Sequence, residues 1–575
     1  MKTIIKTVSC ILVLAVSAAA TNHTVKAGGG GNYTTIQACA NAATAGDTCT
    51  VYSGTYNEAP SLSHSGTGTN GVCTACITFA VNAGDTVTTQ PWNVAANYVI
   101  IQGFTITDPT FTIGNAGIYI HSGTTGVQIL NNILTQVGRA AGGQTSSGYP
   151  CISMQDGPSH YTTIKGNTVS WCSALSSQMN VANGNSHIAT GIVLLGDHIL
   201  LQGNDISHVT NGISLGGGST NVAIIGNKYH DTYIGSVDGT PPNGEHDALG
   251  CIEANSCDTH LDFTEAAGGG NNHILWENNS ASNIWGTQGA HMWFVSSASA
   301  TDSYAISRFN KGYQVGSAYL ANEAFTSNPY GMTYWKDYNN SYIFSQQQSN
   351  GQQALAVCGQ NGANGSLLND LFYNDVNPAG TANAAYYLWG ASCLPVNSGH
   401  NLGYDSACTA GTLAGSTTGQ MATDSGNINA DPLLVATDGT SIALQAGSPA
   451  IGAGTYLTTA SGSGSSSTSL TVADAAYFQD GWGIPGVSAD WIRIGSTTTI
   501  QISSINHSTN VITLASAVSW NKNDPIYLYK DSSGNVVLNG ANPNIGADGA
   551  SPAAPAGGAG GTSPAAPAGL AAAVN

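Results

Sequence analysis

The amino-acid sequence predicts an all-β chain wound as a parallel solenoid, and three observations carry that expectation. First, a phrase of the form apolar-x-apolar-x-Gly-Asn returns across residues 98–374: Thr162-Thr-Ile-Lys-Gly-Asn167, Ile199-Leu-Leu-Gln-Gly-Asn204 and Val222-Ala-Ile-Ile-Gly-Asn227, with looser copies ending at Asn132 and Asn278. Second, a small residue followed by a two-period strand alternates with it: Gly117-Ile-Tyr-Ile, Cys151-Ile-Ser-Met, Gly191-Ile-Val-Leu, Gly212-Ile-Ser-Leu and Cys251-Ile-Glu-Ala. Alternation over four or five positions, closed by Gly or Asn, describes strands with one buried face rather than helices. Third, Asn204 and Asn227 lie 23 residues apart and Gly191 and Gly212 lie 21 apart. That return is too short for a strand-helix-strand unit and fits one coil of a β-solenoid.

Taken in order, residues 1–20 have two lysines, an apolar run and Ala18-Ala19-Ala20, the pattern of a secretory signal. No later stretch is long and apolar enough for a membrane span, so a secreted, extracellular or cell-surface location is expected. Only 7% of the residues are charged, which suits a turn-rich extracellular solenoid. Setting aside Lys2 and Lys6 leaves ten of 12 basic residues against 31 acidic ones, a formal charge of −21. Nucleic acid, which needs a basic footprint, is excluded as a partner. A polyanionic sugar is repelled too, unless a cation or a local basic cluster reverses the field. A monomer is expected.

The coil phrases, together with YTTIQACANAATAGDTCTVYSGTYNE over 33–58, resemble the right-handed parallel β-helix proteins of the pectin-lyase-like superfamily. The resemblance implies an N-terminal helical cap, with Ile36 and Ala40 inward, over the first rung. An open solenoid end exposes unpaired strand edges and apolar core, so it needs such a cover. Asp431-Pro-Leu-Leu, Leu444-Gln-Ala-Gly-Ser-Pro-Ala-Ile-Gly-Ala-Gly454 and Asn542-Pro-Asn-Ile-Gly-Ala547 resemble the closing coils of such proteins. The expected organisation is therefore a signal at 1–20, a β-helix at 21–454, a small all-β barrel or sandwich inserted at 455–539, a closing segment at 540–550 and a Pro/Ala/Gly-rich disordered tail at 551–575. The inserted module shows a Gly/Ser linker at 461–467, then short strands such as Trp491-Ile-Arg-Ile and Val511-Ile-Thr-Leu, with turn signals about every ten residues.

Eleven of the 12 cysteines lie beyond the signal, and in a secreted chain they default to disulfides. Spacing pairs Cys39 with Cys49, Cys73 with Cys76 and Cys251 with Cys257. Cys151 and Cys172, about one coil apart, are placed on adjacent rungs.

Three coils carry insertions at one corner, 138–150, 173–190 and 230–250, and a second wall begins with 255–272. Because coils superpose, insertions at one corner stack into one wall. Between the walls the outward ladder reads Tyr119, Ser153, Val193, Ser214 and Glu253. The coil at 228–278 is acid-rich, and Glu245-His246-Asp247 enters the strand expected to present Glu253. Three uses compete: paired carboxylates of a glycosidase; calcium held by acids such as Asp258 and Asp262, neutralising an acidic sugar while a base abstracts a proton; or a solvated acidic loop. The candidate catalytic residues are Glu253, Glu245, Asp247, His246 and Lys228. Arg139, Lys165, Tyr119 and Trp293 are candidates for binding sugar, the aromatics by stacking on its apolar face; Met292 and Phe294 read as the inward pair of their rung. The expected function is polysaccharide cleavage, by a lyase or glycoside hydrolase, in a groove on the outer face. The alternative is a non-catalytic, adhesin-like surface β-helix that binds glycans or proteins.

Overall fold

The computed structural model describes residues 20–109, 116–137, 150–172, 190–209, 211–233, 261–285, 290–296, 302–313, 320–322, 332–344, 365–374, 397–405, 425–436 and 441–548. Its strands form three long parallel sheets of 15, 13 and nine strands, here sheets 1, 2 and 3. A coil visits them in turn: Gly196–Gln202 in sheet 1, Asp205–Ser207 in sheet 2 and Asn211–Leu215 in sheet 3, before Thr220–Ile225 returns to sheet 1. This is the expected parallel β-helix. It has three strands per coil where the sequence phrases suggest two. The corner between sheets 1 and 2 is only the Gly-Asn pair, so a sheet 1 strand and the sheet 2 strand behind it read as one segment.

That pair is also where the coils lock together. The first residue has positive φ, as in Gly166 (68°), Gly203 (63°) and Gly226 (64°), a conformation that costs Gly no Cβ clash. The turn aims the following Asn into the core. Asn132, Asn167, Asn204, Asn227, Asn279, Asn310 and Asn340 are all buried. Asn132 accepts from Phe104 N at 3.0 Å, and each later one accepts from the backbone N–H of the Asn one coil earlier, as when Asn167 N donates to Asn204 Oδ1 and Asn204 N to Asn227 Oδ1, both at 2.9 Å. The amide Nδ2 of Asn204 donates to Asn227 Oδ1 (2.9 Å) and to Ile164 O (3.0 Å), satisfying both ends of a group that burial would otherwise penalise by about 1–3 kcal/mol.

Asp370 interrupts this column. Its Oδ1 takes Asn340 N at 2.6 Å and its own N donates to Asn401 Oδ1 at 2.8 Å, yet it lacks the amide donor of its neighbours. Burial, then the nearby Asp337 charge, pushes the Asp370 carboxyl well above the carboxylate range, and burial pushes Asp337 up to about 8. A protonated Asp370 can donate where an Asn amide would.

Before the first complete coil, the helix Ile36–Ala42 is capped by Thr35, whose hydroxyl accepts from Ala38 N. The Glu58 carboxylate takes Ile36 N (2.7 Å) and Gln37 N (3.0 Å), and Ile36 and Ala40 are buried. Cys39–Cys49, Cys73–Cys76 and Cys151–Cys172 are bonded, with Cα separations of 6.2, 5.5 and 5.2 Å. Cys251 and Cys257 lie outside the described residues.

Near the C-terminus, Thr458–Thr459, Gly464–Thr471, Trp491–Ile494, Thr498–Asn506, Val511–Trp520 and Pro525–Lys530 make a six-stranded antiparallel sheet. The stretch read as a Gly/Ser linker is strand from Gly464 onward, paired with Val511–Trp520. Backbone pairing there overrides the low strand propensity of Gly and Ser. This region packs on the outer side of sheet 1, where Leu200, Ala223, Leu275 and Ile306 share one apolar cluster with Tyr477, Phe478 and Ile484. Polar groups cross the same interface. Arg308 is fully buried, its guanidinium forked onto Asp490 (2.7 and 2.8 Å) with Nε on Glu277 (2.6 Å) and Nη1 on the Tyr338 hydroxyl (2.9 Å). Ser532 bonds Glu277 from the C-terminal side, and Lys336 reaches Asp474 at 2.7 Å.

Two outcomes follow from these contacts. Removing one member of a buried charge network leaves its partners unpaired. Arg308→Ala should therefore cost roughly 3–5 kcal/mol in urea unfolding, and a loss under about 1 kcal/mol would show that the network does not hold the C-terminal sheet in place. For Asp337 and Asp370 the folded pKa lies above the unfolded value of 3.8. The folded state then binds more protons, so their contribution is present at low pH and is lost as pH rises from about 4 to about 8. Asp370→Asn restores the amide and removes one titrating group. It should melt above the wild type at pH 8 and flatten the pH dependence; equal melting temperatures at pH 8 would refute a protonated Asp370.

Candidate functional site

The three sheets give the β-helix three outer faces, and the candidate residues are divided among them. Lys165 is exposed on sheet 1, in the register column of Leu130 and Gln202. Lys228 is exposed on sheet 2, in the column of Asp205 and Ser280. Tyr119 is on sheet 3. Lys165 and Lys228 therefore do not share a face with Tyr119. Arg139, Glu245, His246, Asp247, Glu253 and Asp258 lie outside the described residues.

Sheet 1 offers little free surface beyond Leu200, because the C-terminal sheet covers it. On sheet 2, His230 is held between two carboxylates, Nε2 to Asp205 (2.7 Å) and Nδ1 to Asp231 (2.8 Å). The hydrogen bond from Asp205 outweighs partial burial and, with Asp231, raises the His230 pKa; the reciprocal bond holds the Asp205 carboxyl below its usual value.

Sheet 3 carries an unbroken outer column: Ser61, Asn93, Tyr119, Ser153, Val193, Ser214, Glu265, Phe294 and Ala321 are successive register partners. At a strand spacing of about 4.8 Å, the column runs for roughly 38 Å. Its exposure varies along its length: Ser61 is exposed, Asn93, Tyr119, Ser214 and Glu265 are half-buried, and Ser153 and Val193 at the centre are buried. At one end His121 binds Asp156 through Nδ1 (2.8 Å) and Asn93 Oδ1 through Nε2 (2.7 Å), with its ring edge-on to Tyr119 at 4.9 Å. Asp156 also accepts from Ser122 N at 2.7 Å, which fixes the carboxylate. Toward the other end Glu265 accepts from Asn211 Nδ2 at 2.5 Å.

The ladder place expected for Glu253 belongs to Glu265. The rung after Asn211–Leu215 is Leu261–Ala267, with Ser214 opposite Glu265. The small-residue rule misplaces it because the small column ends there. A Cβ on Gly117, Gly191 or Gly212 would meet a neighbouring carbonyl at 2.7–2.8 Å, the last being Phe263 O. Phe263 itself is fully buried, stacked on Tyr229 at 5.3 Å and edge-on to Trp276 at 5.6 Å. The core widens from aliphatic to aromatic filling at this coil, so no Gly or Cys announces the strand. One rung on, Trp293 is opposite Thr264 and Phe294 opposite Glu265. By backbone register Trp293 thus follows the buried Thr264, and Phe294, read from the sequence as inward with Met292, follows Glu265. Asp262 is placed by backbone register, opposite Asn211 and His291. Sequence reading also misses Asn93, which is in the Tyr119 column one rung earlier, His121, two residues after Tyr119, and Asp156, three residues after Ser153.

No calcium site can be assembled from what is described: among the described residues no group of three or more His, Cys, Asp and Glu side chains converges on a point a metal could occupy.

No family model matches the chain, and no curated protein matches it. Solved structures of similar shape include a pectate lyase, at 14% identity over 77% of this chain and 93% of that one, with a TM-score of 0.38. An alginate lyase from Paenibacillus sp. str. FPU-7 aligns at 14% identity over 56% of this chain and 94% of its own, TM-score 0.32. PfbA, a surface adhesin of Streptococcus pneumoniae, aligns at 12% over 59% and 85%, TM-score 0.30. These likenesses carry no argument about ligand or reaction, and the fold rests on the strand pairing itself.

The His230 geometry has a direct check. A two-dimensional NMR titration should place the His230 pKa above 6.5, and Asp205→Asn should bring it down. An unchanged His230 pKa in that variant would remove Asp205 as the cause.

Proposed function

We propose that this chain is an extracellular β-helix protein that binds a linear polysaccharide lengthwise along the outer face of sheet 3. The observation that carries the reading is the register column from Ser61 to Ala321. Its side chains repeat at the strand spacing of about 4.8 Å, close to the length of one pyranose unit in an extended chain. A polymer of repeating units can therefore meet one rung per sugar over the accessible stretches, Ser61 to Tyr119 and Ser214 to Glu265. The groups offered along it suit sugars: the Tyr119 ring for an apolar face, and Asn93, His121, Asp156, Ser214 and Glu265 for hydroxyls. Three disulfides among the described residues and the signal-like residues 1–20 support an oxidising, extracellular location.

A second reading, bond cleavage, is favoured by one feature. Glu265 is a half-buried carboxylate in the column itself, on the coil that carries the 27-residue connection 234–260 between sheets 2 and 3. A carboxylate so placed is a candidate acid or base for a glycosidic bond.

A polysaccharide panel separates the readings: affinity electrophoresis reports binding, while new reducing ends and unsaturated, ultraviolet-absorbing products report cleavage. Tyr119→Ala should weaken binding up to about tenfold, as expected for losing one ring contact of roughly 0.5–1.5 kcal/mol, and should leave the melting temperature near the wild type. Binding unchanged in that variant sinks the sheet 3 site. If the chain cleaves its ligand, Glu265→Gln should abolish product formation while binding survives; undiminished cleavage would exclude Glu265.

A further inference from the structure

We propose that the polysaccharide bound on sheet 3 is uncharged, an inference that rests on the reading above and specifies its ligand class. The argument is the placement of the chain's positive charges. Outside residues 1–20 the sequence has ten Lys and Arg, and nine of them are described. Lys26 lies over the Tyr52 ring near the N-terminal end. Lys165 is on sheet 1, and Lys228 and Lys311 share a column on sheet 2 through Ser280. Arg308 and Lys336 are buried under the C-terminal sheet, committed to Glu277, Asp490 and Asp474. Arg493 sits over the Tyr527 ring and donates to the carbonyls of Gly540 and Ala541, Lys530 lies over the Trp491 ring, and Lys522 is beside Ser463. None of the nine is on the outer face of sheet 3.

That face does carry carboxylates, Asp156, which is paired with His121, and Glu265. A polyuronate lying along the column would bring a carboxylate to nearly every rung, beside these two acids and within a chain whose overall balance is 31 acidic against 12 basic residues. Proteins that hold polyanions surround them with opposite charge, because like charges in a recess focus the repulsion. A neutral sugar needs only hydrogen bonds and ring contacts, which is what Asn93, Tyr119, His121 and Ser214 can provide. Arg139 is the one remaining cation, in the connection between sheets 2 and 3.

The test is retention of the full-length protein in native gels containing xylan, mixed-linkage glucan or galactomannan, against polygalacturonate or alginate, all in EDTA. Retention by a neutral polymer, unchanged between about 0.05 and 0.5 M salt, is the expected result. Retention by a polyuronate in EDTA, weakened by salt, overturns the inference and leaves the glycan reading intact. Loss of that retention in Arg139→Ala would identify the cation responsible and overturn it equally. Retention by a polyuronate only when calcium replaces EDTA overturns the inference and leaves the glycan reading intact, and retention by neither class with or without calcium overturns both.

Discussion

The structure depends on one corner: a residue with positive φ, followed by an asparagine turned into the core. Each such asparagine closes hydrogen bonds to the coils on either side, so coils of different length still stack in one register. This is why connections as unequal as Ser207 to Asn211 and Tyr233 to Leu261 are tolerated between sheets 2 and 3. The corner fixes sheets 1 and 2 together, and the slack is taken up elsewhere. The turn position passes from Gly in the central coils to Asn278, Phe309, Asn339, Asn369 and His400, all at φ between 53° and 61°. Asn adopts that conformation with little penalty, whereas a bulky ring does so only when its surroundings compensate. Phe309 is buried in the apolar cluster beneath the C-terminal sheet, which supplies the compensation.

The second constraint is that cover. Sheet 1 strands are apolar on both sides, with Leu200, Ala223 and Ile225 buried outside as Ile199, Leu201, Val222 and Ile224 are inside. A two-sided apolar strand must be covered on both faces. The C-terminal sheet does this, and in doing so takes sheet 1 from Leu200 onward out of reach of a ligand and uses Arg308 and Lys336 in its interface. Burial of such charges is costly unless every partner is in place, so the Glu277–Arg308–Asp490 network fixes how the cover sits rather than simply how strongly it holds.

The β-helix was legible in the sequence because its determinants are local: a Gly for the turn, an Asn for the ladder, two-residue alternation for the strand. The third sheet was not, because a two-residue corner leaves no composition change to read. The outer cover was signalled by Ile199-Leu-Leu and Val222-Ala-Ile-Ile, continuous apolar runs that differ from the alternation around them, but what covers them is set hundreds of residues away. The candidate site was legible only in part. Tyr119, Ser153, Val193 and Ser214 align as read, since each follows a small residue by two positions. Glu265 does not announce itself, because Phe263 occupies the place of the glycine. The basic residues were grouped by nearness in sequence, whereas three sheets per coil send neighbours such as Lys165 and Lys228 to different sides.

A solenoid repeats its backbone on every side, so function is decided by which faces remain available and what charge they carry. Sheet 1 is covered. On sheet 2 His230 is bracketed by the carboxylates of Asp205 and Asp231, much as His121 on sheet 3 is bonded to Asp156 and Asn93. Sheet 3 retains a column of hydroxyl, amide, phenol and carboxylate groups at polymer spacing, with the nine described Lys and Arg residues placed elsewhere. The same distribution that stabilises the C-terminal cover thus leaves the remaining face suited to hydrogen bonding and ring contact rather than to charge neutralisation.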